Sequence, residues 1–395
     1  MSAIRSRQLV VTPEARFGFE MLGIPKIDVR SVGAGGGSLA WVDAGGLLRV
    51  GPQSAGARPG PACYGLGGTE ATVTDANVVL GIIDPDYYLG AKIKLDRGKA
   101  EAAVAKIAAK LRLPLHDAAY AIYTMCNHNM IAAIEDITVK KGIDPRESYV
   151  VSGGGATGCH IGEMSKLLGI GHFMIPRFAA GLSAYGELIS DVRWEEKGTL
   201  HTTDRDFDRR KVNALLKRLI AGGHAFRKRA DVPVRQRRFE FSFRARYLYQ
   251  SWDIDVPFTM ADGKISEADT ARLASAFHTM HERIYTIKNE ADIVEFITWK
   301  VLAIGGTGGG TREGKALPLQ TQEPAVKSRR NVYLGRGNQR ELPVYRGANF
   351  GTSARVEGPA LIELETTTIL LLDGQVAVTD ARGNFLVDSA VVGSA

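Results

Sequence analysis

Three consecutive glycines stand where a predicted strand meets a predicted helix. Gly153 to Gly155 follow a β-branched run, and a helix is predicted from about Thr157, all within the segment VVSGGGATGCH. Such a turn exposes backbone N–H groups at the start of a helix, and residues without a Cβ let a phosphate or nucleoside lie directly on the backbone. The segment matches neither the GxxxxGKS phosphate loop nor the GxGxxG fingerprint. Nucleotide contact and a tight strand–helix packing turn both remain open.

Two titratable side chains near the glycine-rich segments are candidate catalytic residues. His160 lies one helical turn past the glycine triplet, where its imidazole could face the same ligand or be a hydrogen-bonded core histidine. Asp75, within TVTDAN, enters a predicted helix. Its carboxylate could cap the helix N-terminus or hold a metal-bound water, and the local sequence favours the cap.

A second glycine-rich stretch lies between residues 33 and 75. It begins with GAGGGSLAWVDAGG, which contains Gly35 and Gly36, and continues with SAGARPGPACYG, whose prolines and glycines exclude regular structure. Two interpretations remain: a buried irregular loop, or a loop that forms one wall of a ligand site.

Other reactive residue types are not arranged for familiar chemistry. Cys63, Cys126 and Cys159 are far apart, which excludes a zinc ribbon and a disulfide framework, although a nucleophilic thiol at Cys63 or Cys159 stays a minor alternative. His278 and His281 are three residues apart, a spacing that matches neither HExxH nor HxxEH. We therefore predict no metal site formed by the protein alone.

Composition indicates a globular protein of ordinary character. The chain has 395 residues, is 45% hydrophobic and carries a formal charge of +7, with its densest basic run at 226–241. That run is interpreted as a solvated face and not a nucleic-acid site, because no base-stacking motif accompanies it. The sequence contains no apolar run of membrane-spanning length and no signal peptide, so we expect a cytoplasmic location and an acidic partner chain or anionic substrate.

Alternating strand and helix patterns up to about residue 200 predict an α/β layer architecture. Residues 201–310 combine amphipathic helices with long alternating strands and form a predicted α+β domain. A linker is predicted at 311–330, since this segment is rich in glycine, proline and polar residues. Short strands and turns then predict a small β-rich C-terminal domain at 331–395.

Four segments of the chain resemble one protein family. They are the block SVGAGGGSLAWVDAGGLLRVGPQSAGARPGPACYGLGGTEATVTDANVVLG, the element VVSGGGATGCHIGEMSKLLGI, the segment IPRFAAGLSAYGELISDVRWE and the tail EGPALIELETTTILLLDGQVAVTDARGNF. The resemblance is to the hydantoinase A/5-oxoprolinase family, and it leans towards the hydantoinase-A-like subunits of acetone and acetophenone carboxylases. It implies an α/β fold in which residues 1–200 are the rear part of an actin/Hsp70/sugar-kinase-like ATPase lobe.

Family members use ATP to phosphorylate a carbonyl or amide oxygen, so the resemblance implies ATP with Mg²⁺ or Mn²⁺ as cofactors. It assigns Gly153, Gly154, Gly155 and Ala156 to nucleotide binding. Asp75 and the 33–38 loop, with Gly35 and Gly36, become walls near the nucleotide or substrate. The predicted function is a subunit of an ATP-dependent ketone carboxylase; the alternatives are a cyclic amide hydrolase subunit and a non-catalytic scaffold.

The chain departs from the family pattern in two respects. The family's DxGGTxTD-like phosphate loops precede the block where this chain begins, so we expect either that a partner chain supplies them, beside a hydantoinase-B-like chain, or that the chain is a split or truncated product. Tyr249 and Thr286 stand where the family usually has glycine, in YLYQSWDIDV and HERIYTI. The substrate, a small ketone or cyclic amide, is not determined by these motifs.

Overall fold

The protein is described here by a computed structural model. It covers residues 1–5, 8–9, 11–12, 15–17, 20–22, 26–231, 237–260, 263–306 and 316–389. The start of the predicted linker, 311–315, and the end of the predicted C-terminal domain, 390–395, lie outside these residues. Contacts divide the chain into two compact units: residues 1–183 with 314–395, and residues 184–313.

The described α-helices have between 7 and 23 residues. The longest, Leu115–Ile137, is followed by a 3₁₀ turn at Val139–Lys141 and by Gly142 in the left-handed conformation. Within the described residues the α-helices are α1 (Val73–Val79), α2 (Arg97–Leu111), α3 (Leu115–Ile137), α4 (Ile161–Leu168), α5 (Leu182–Ile189), α6 (Arg209–Arg229) and α7 (Glu267–Tyr285).

The strands are short in the first unit and longer in the second. Those before residue 190 are β1 (Ile4–Arg5), β2 (Gln8–Leu9), β3 (Val11–Thr12), β4 (Ala15–Phe17), β5 (Glu20–Leu22), β6 (Lys26–Ile27), β7 (Ser38–Val42), β8 (Leu48–Ser54), β9 (Tyr149–Val151) and β10 (His172–Ile175). The others are β11 (Val192–Thr203), β12 (Arg237–Tyr247), β13 (Ile254–Phe258), β14 (Val294–Gly305), β15 (Val326–Tyr333), β16 (Gln339–Arg346), β17 (Arg355–Glu357), β18 (Ala360–Glu363), β19 (Thr368–Leu371), β20 (Gln375–Thr379) and β21 (Phe385–Ser389).

The first unit is organised around a five-stranded sheet whose order is β17-β20-β21-β10-β9. Strands β9 and β10 run parallel, while β10 pairs antiparallel with β21 of the tail. The tail, predicted as a separate β-rich domain, therefore shares a sheet with the strand that precedes the glycine triplet. Its apolar side chains also join one core with those of α1 to α4. The domain boundaries at 200 and 331 remain predictions.

The second unit has its own sheet and core. Its sheet order is β11-β14-β12-β13, all antiparallel, with a register shift between Thr199 and Thr202. Apolar residues of α6 and α7, among them Leu216 and Phe277, lie in one core with Phe243, Phe296 and Trp299 of the sheet. The α+β domain at 201–310 stays a prediction. No described helix has the length and apolar character that a membrane span requires.

Candidate functional site

The first glycine-rich loop is held by the start of α1. The carbonyl oxygen of Gly36 accepts hydrogen bonds from the backbone N–H of Thr74, at 2.8 Å, and from its hydroxyl, at 2.9 Å. On the other side of the loop, a Cβ at Gly33 would lie 2.6 Å from the Cβ of Pro52 in β8. The loop is thus fixed between a helix and a strand, and part of its glycine content reflects this close backbone approach.

Asp75 is the central polar contact of this region. Its fully buried carboxylate accepts hydrogen bonds from the backbone N–H groups of Ala62 (3.2 Å), Cys63 (2.7 Å) and Thr72 (2.9 Å), and from the Thr72 hydroxyl (2.7 Å). The local expectation that Asp75 caps α1 needs correction: Thr72 is the N-cap, and Asp75 is the third helical residue of a capping box. With both oxygens occupied, Asp75 braces the turn at 62–64 against α1.

His160 lies in a buried polar network. Its Nδ1 is 2.7 Å from Oδ1 of Asn127, and its Nε2 is 3.2 Å from Nδ2 of Asn77 on α1. The ring stacks on Tyr123 with the centroids 4.8 Å apart. Burial alone lowers the pKa of His160 to about 4, since the charged imidazolium would lose its hydration. Among the two alternatives for His160, these contacts are those of a hydrogen-bonded core histidine.

The glycine triplet forms the predicted turn between a strand and a helix. Gly154 has a φ of +118°, which favours glycine, and its N–H donates to the carbonyl of Ala179 at 2.7 Å. The tail packs directly on this segment: a Cβ at Gly155 would lie 3.1 Å from the carbonyl oxygen of Thr366, and one at Gly158 only 2.5 Å from that of Thr368. Tight packing therefore accounts for Gly158, whereas Gly155 is exposed.

The fold brings the two glycine-rich segments together. A Cβ at Gly36 would lie 3.6 Å from the Cβ of Ala156, although all of α1, α2 and α3 lie between the two residues in sequence. A Cβ at Gly35 would meet no atom within 4 Å. The N–H groups of Gly155 and Ala156 donate no hydrogen bond to any residue the structure describes. An open backbone surface with free N–H groups fits an anionic group such as the phosphates of ATP.

Several polar residues of this arrangement were not identified from the sequence. Thr74 and Asn77 lie on the fully buried helix α1 and contact the first glycine loop and His160 respectively, while Asn127 supplies the other contact of His160. Two features of the sequence could have indicated them. Polar residues that recur within a short apolar helix indicate partners elsewhere in the fold, and the spacing of Thr72 and Asp75 is that of a capping box.

The alternative chemistries gain no support from the described residues. Burial raises the pKa of the Cys63 thiol and raises that of Cys159 to about 12, which disfavours a thiolate nucleophile. His278 and His281 bind Tyr247 and Gln250 through their ring nitrogens. No group of three His, Cys, Asp or Glu side chains able to hold a metal occurs in the described part of the chain.

Comparisons with known proteins agree with this architecture. A family model described as Hydantoinase/oxoprolinase matches residues 1–196, and one described as Hydantoinase/oxoprolinase C-terminal domain matches residues 224–387. The caprolactamase subunit alpha of Pseudomonas jessenii is 33% identical over 89% of this chain and 51% of its own length. The acetophenone carboxylase gamma subunit of Aromatoleum aromaticum is 46% identical over 143 residues, 36% of this chain and 20% of its own.

A solved structure is similar in fold. The nucleotide-free structure of acetone carboxylase superimposes with a TM-score of 0.86 at 24% identity, covering 97% of this chain and 56% of the other. The predicted α/β fold is confirmed by this likeness. The chain spans about half the length of caprolactamase subunit alpha and of the beta subunit of acetone carboxylase from Xanthobacter autotrophicus, 51% of each.

Proposed function

The chain belongs to the hydantoinase/oxoprolinase family, and on that premise we propose that it is a subunit of an ATP-dependent carboxylase that activates a ketone-type substrate by phosphorylation. One observation carries the proposal: a Cβ at Gly36 would lie 3.6 Å from the Cβ of Ala156, so the two glycine-rich segments are close, and a Cβ at Gly35 would meet no atom within 4 Å. The 46% identity to a subunit of acetophenone carboxylase supports the carboxylase branch.

Bound ATP would supply the phosphoryl group that makes a carbonyl oxygen a good leaving group. We propose that the backbone at Gly35, Gly36 and Gly153 to Ala156 forms one wall of the nucleotide site. The free N–H groups of Gly155 and Ala156 would orient phosphate oxygens by hydrogen bonds. Mg²⁺ or Mn²⁺ would be held mainly by those phosphates and by water.

Asp75 and His160 act in this proposal as positioning residues. Asp75 fixes α1 to the turn at 62–64, and α1 in turn fixes Gly36 through Thr74. His160 connects α1, through Asn77, to the helix that follows the glycine triplet. The two residues thereby hold both glycine-rich segments at a constant separation, which positioning of a nucleotide requires.

A cyclic amide hydrolase subunit is the second candidate function. The observation that favours it is the 33% identity to caprolactamase subunit alpha, which extends over 89% of this chain. The same activated carbonyl chemistry would serve both functions, because a lactam oxygen is as poor a leaving group as a ketone oxygen until it is phosphorylated.

We propose that the chain acts within a hetero-oligomer. Three relatives are named as subunits: caprolactamase alpha, acetone carboxylase beta and acetophenone carboxylase gamma. A hydantoinase-B-like chain is the proposed partner.

A substitution at Gly35 tests the nucleotide wall. In Gly35→Val the new side chain meets no protein atom at its Cβ, so the chain should fold normally while the side chain occupies the space proposed for ATP. Titration of the assembled complex with ATP–Mg²⁺ should show affinity reduced by at least about tenfold. Gly98→Val, on α2, is the matched control, since its nearest contact is an ordinary one at 3.4 Å.

Turnover then separates the candidate functions. ATP hydrolysis stimulated by acetone or acetophenone with bicarbonate supports the carboxylase, and stimulation by caprolactam or 5-oxoproline supports the hydrolase. Equal ATP affinity in Gly35→Val and wild type would contradict the proposed wall. No ATP binding with or without the partner chains would identify a non-catalytic scaffold.

A further inference from the structure

A groove in the second unit lies between strand β13 and helix α7. Its cavity volume is about 660 Å³, and most of its lining comes from these two elements. Small-molecule sites typically have volumes of ~300–1,000 Å³ and combine an apolar lining with a few polar groups. The groove therefore has the size of a ligand site, and its side chains indicate the class of ligand that fits.

Apolar side chains of the core line the groove. Val256, Ile265 and Leu273 are 1%, 2% and 3% exposed and belong to the hydrophobic core of the second unit. Phe258 and Met280 pack against this core and stay partly accessible. Because the buried residues are fixed by the core, the groove offers a preformed apolar surface to the body of a ligand, and the flexible Met280 side chain can adapt to its shape.

The charged residues of α7 leave the groove with a positive charge. Arg272 and Arg283 line it, and Asp269 is the acid among its described lining residues. One oxygen of Asp269 accepts the N–H and the hydroxyl of Ser266, at 2.7 and 2.6 Å, and the other accepts Arg272 at 2.8 Å. Asp269 and Arg272 thus neutralise each other. Arg283 forms no ion pair with any residue that the structure describes, so its charge is left uncompensated.

Helical spacing places the two arginines on one face of α7. Arg272, Ala276, Thr279 and Arg283 follow one another at intervals of four, three and four residues, and residues at such intervals are neighbours on a helix surface. Arg272 and Arg283 are therefore separated by about 16 Å along the helix axis. The small side chain of Ala276 and the hydroxyl of Thr279 lie between them. An anion at Arg283 thus leaves the lining between the arginines to an apolar body.

We propose that this groove binds a small amphipathic carboxylate, whose carboxylate pairs with Arg283 and whose aliphatic or aromatic body lies on the apolar lining. A guanidinium can donate two parallel hydrogen bonds to a carboxylate, which fixes the head group. An inorganic anion would leave the apolar lining uncovered, and an amine would be repelled by Arg283. The inference does not depend on the proposed ATP chemistry.

Calorimetric titration of the full chain with octanoate, without ATP, tests the site. The wild type should bind one octanoate, and its uncharged analogue octanamide should bind at least about tenfold more weakly. Arg283→Gln removes the charge from an exposed side chain, and Ala276→Phe fills the groove. Each substitution should weaken octanoate binding by at least about tenfold. Arg218→Gln, at an exposed arginine of α6, is the matched control and should leave the affinity unchanged.

Melting temperatures show whether each variant is folded, and if Ala276→Phe does not fold, Arg283→Gln decides alone. A wild-type chain that binds no octanoate at millimolar concentration overturns the proposal. Equal affinity in wild type and Arg283→Gln overturns it as well, because the groove would then bind apolar compounds without recognising the carboxylate. Neither result bears on ATP binding, which the substitution at Gly35 tests separately.

Discussion

At the scale of single residues, the candidate site depends on which polar groups are already occupied. Both oxygens of the Asp75 carboxylate accept hydrogen bonds, from four donors within the chain. His160 is enclosed by two asparagines and a tyrosine. The backbone N–H groups of Gly155 and Ala156, by contrast, donate no hydrogen bond within the described part of the chain. Polar side chains here maintain geometry, and the backbone is left to meet a ligand.

Replacement of Asp75 by asparagine should destabilise the chain. The amide keeps the shape of the carboxylate but turns one acceptor into a donor that faces backbone N–H groups, all of them buried. We expect a loss of about 2–4 kcal/mol in the free energy of unfolding, measured by urea denaturation. Asp86→Asn, which changes an exposed carboxylate paired with Lys94, is the control and should cost less than about 1 kcal/mol. Equal losses of unfolding free energy in the two variants would show that the Asp75 carboxylate does not stabilise the turn at 62–64 against α1.

His160 should make stability fall with acid. Burial lowers its pKa from the usual 6.5 to about 4, so between these values the unfolded chain binds a proton that the folded chain does not. The free energy of unfolding should therefore decrease from pH 6.5 towards pH 4, by up to about 3 kcal/mol from this group. His160→Asn, which retains a donor near Asn127, removes the titrating group. Urea midpoints measured across this range should depend less on pH in the variant, and parallel curves would contradict the assignment.

At the scale of secondary structure elements, α1 connects the parts of the candidate site. Its seven residues are all buried, and it contacts the first glycine loop through Thr74, the turn at 62–64 through Asp75 and His160 through Asn77. Because such a helix has little intrinsic stability, tertiary contacts must maintain it. Changes at any of its polar residues should therefore affect both glycine-rich segments together.

Sequence reasoning predicted the elements better than their partners. Helices α3, α6 and α7 and the strand–turn–helix at 149–168 follow from local periodicity and glycine placement, and the structure has them. The pairing of β10 with β21 joins residues more than two hundred positions apart, and no local period records such a partner. The same holds for Asp75, whose oxygens are bound by residues 12 and 13 positions earlier. Local sequence patterns do not predict such contacts between residues that are far apart in the chain.

Gly158 tests the contact between the tail and the second glycine-rich segment. A Cβ in Gly158→Ala would lie 2.5 Å from the carbonyl oxygen of Thr368, a backbone atom that cannot turn away. We expect a loss of about 1–3 kcal/mol in the free energy of unfolding. Gly98→Ala, whose Cβ meets only Asp96 Oδ1 at 3.4 Å, should cause no comparable loss. Unchanged urea midpoints in both variants would contradict the close packing of the tail.

At the scale of the whole molecule, the two compact units do not simply follow one another along the chain. The first unit is made of two segments, and the second is a continuous segment between them. Each unit has its own hydrophobic core: one includes residues from Ala40 to Val387, and the other lies wholly between Val212 and Val301. Separate cores give separate cooperative units of unfolding.

Removal of residues 355–395 should abolish the folding of the first unit and spare the second. The truncation takes β17, β20 and β21 from the five-stranded sheet and exposes the core partners of Phe173 and Ile175. Calorimetry of the full chain should resolve two transitions, and the truncated chain should retain only the one that belongs to residues 184–313. Limited proteolysis should then cleave the glycine segment near Gly154 and leave α6 and α7 protected. Truncation after Ser389 is the control and should keep both transitions. If the chain without residues 355–395 also shows two transitions, the first unit folds without its tail and the prediction is wrong.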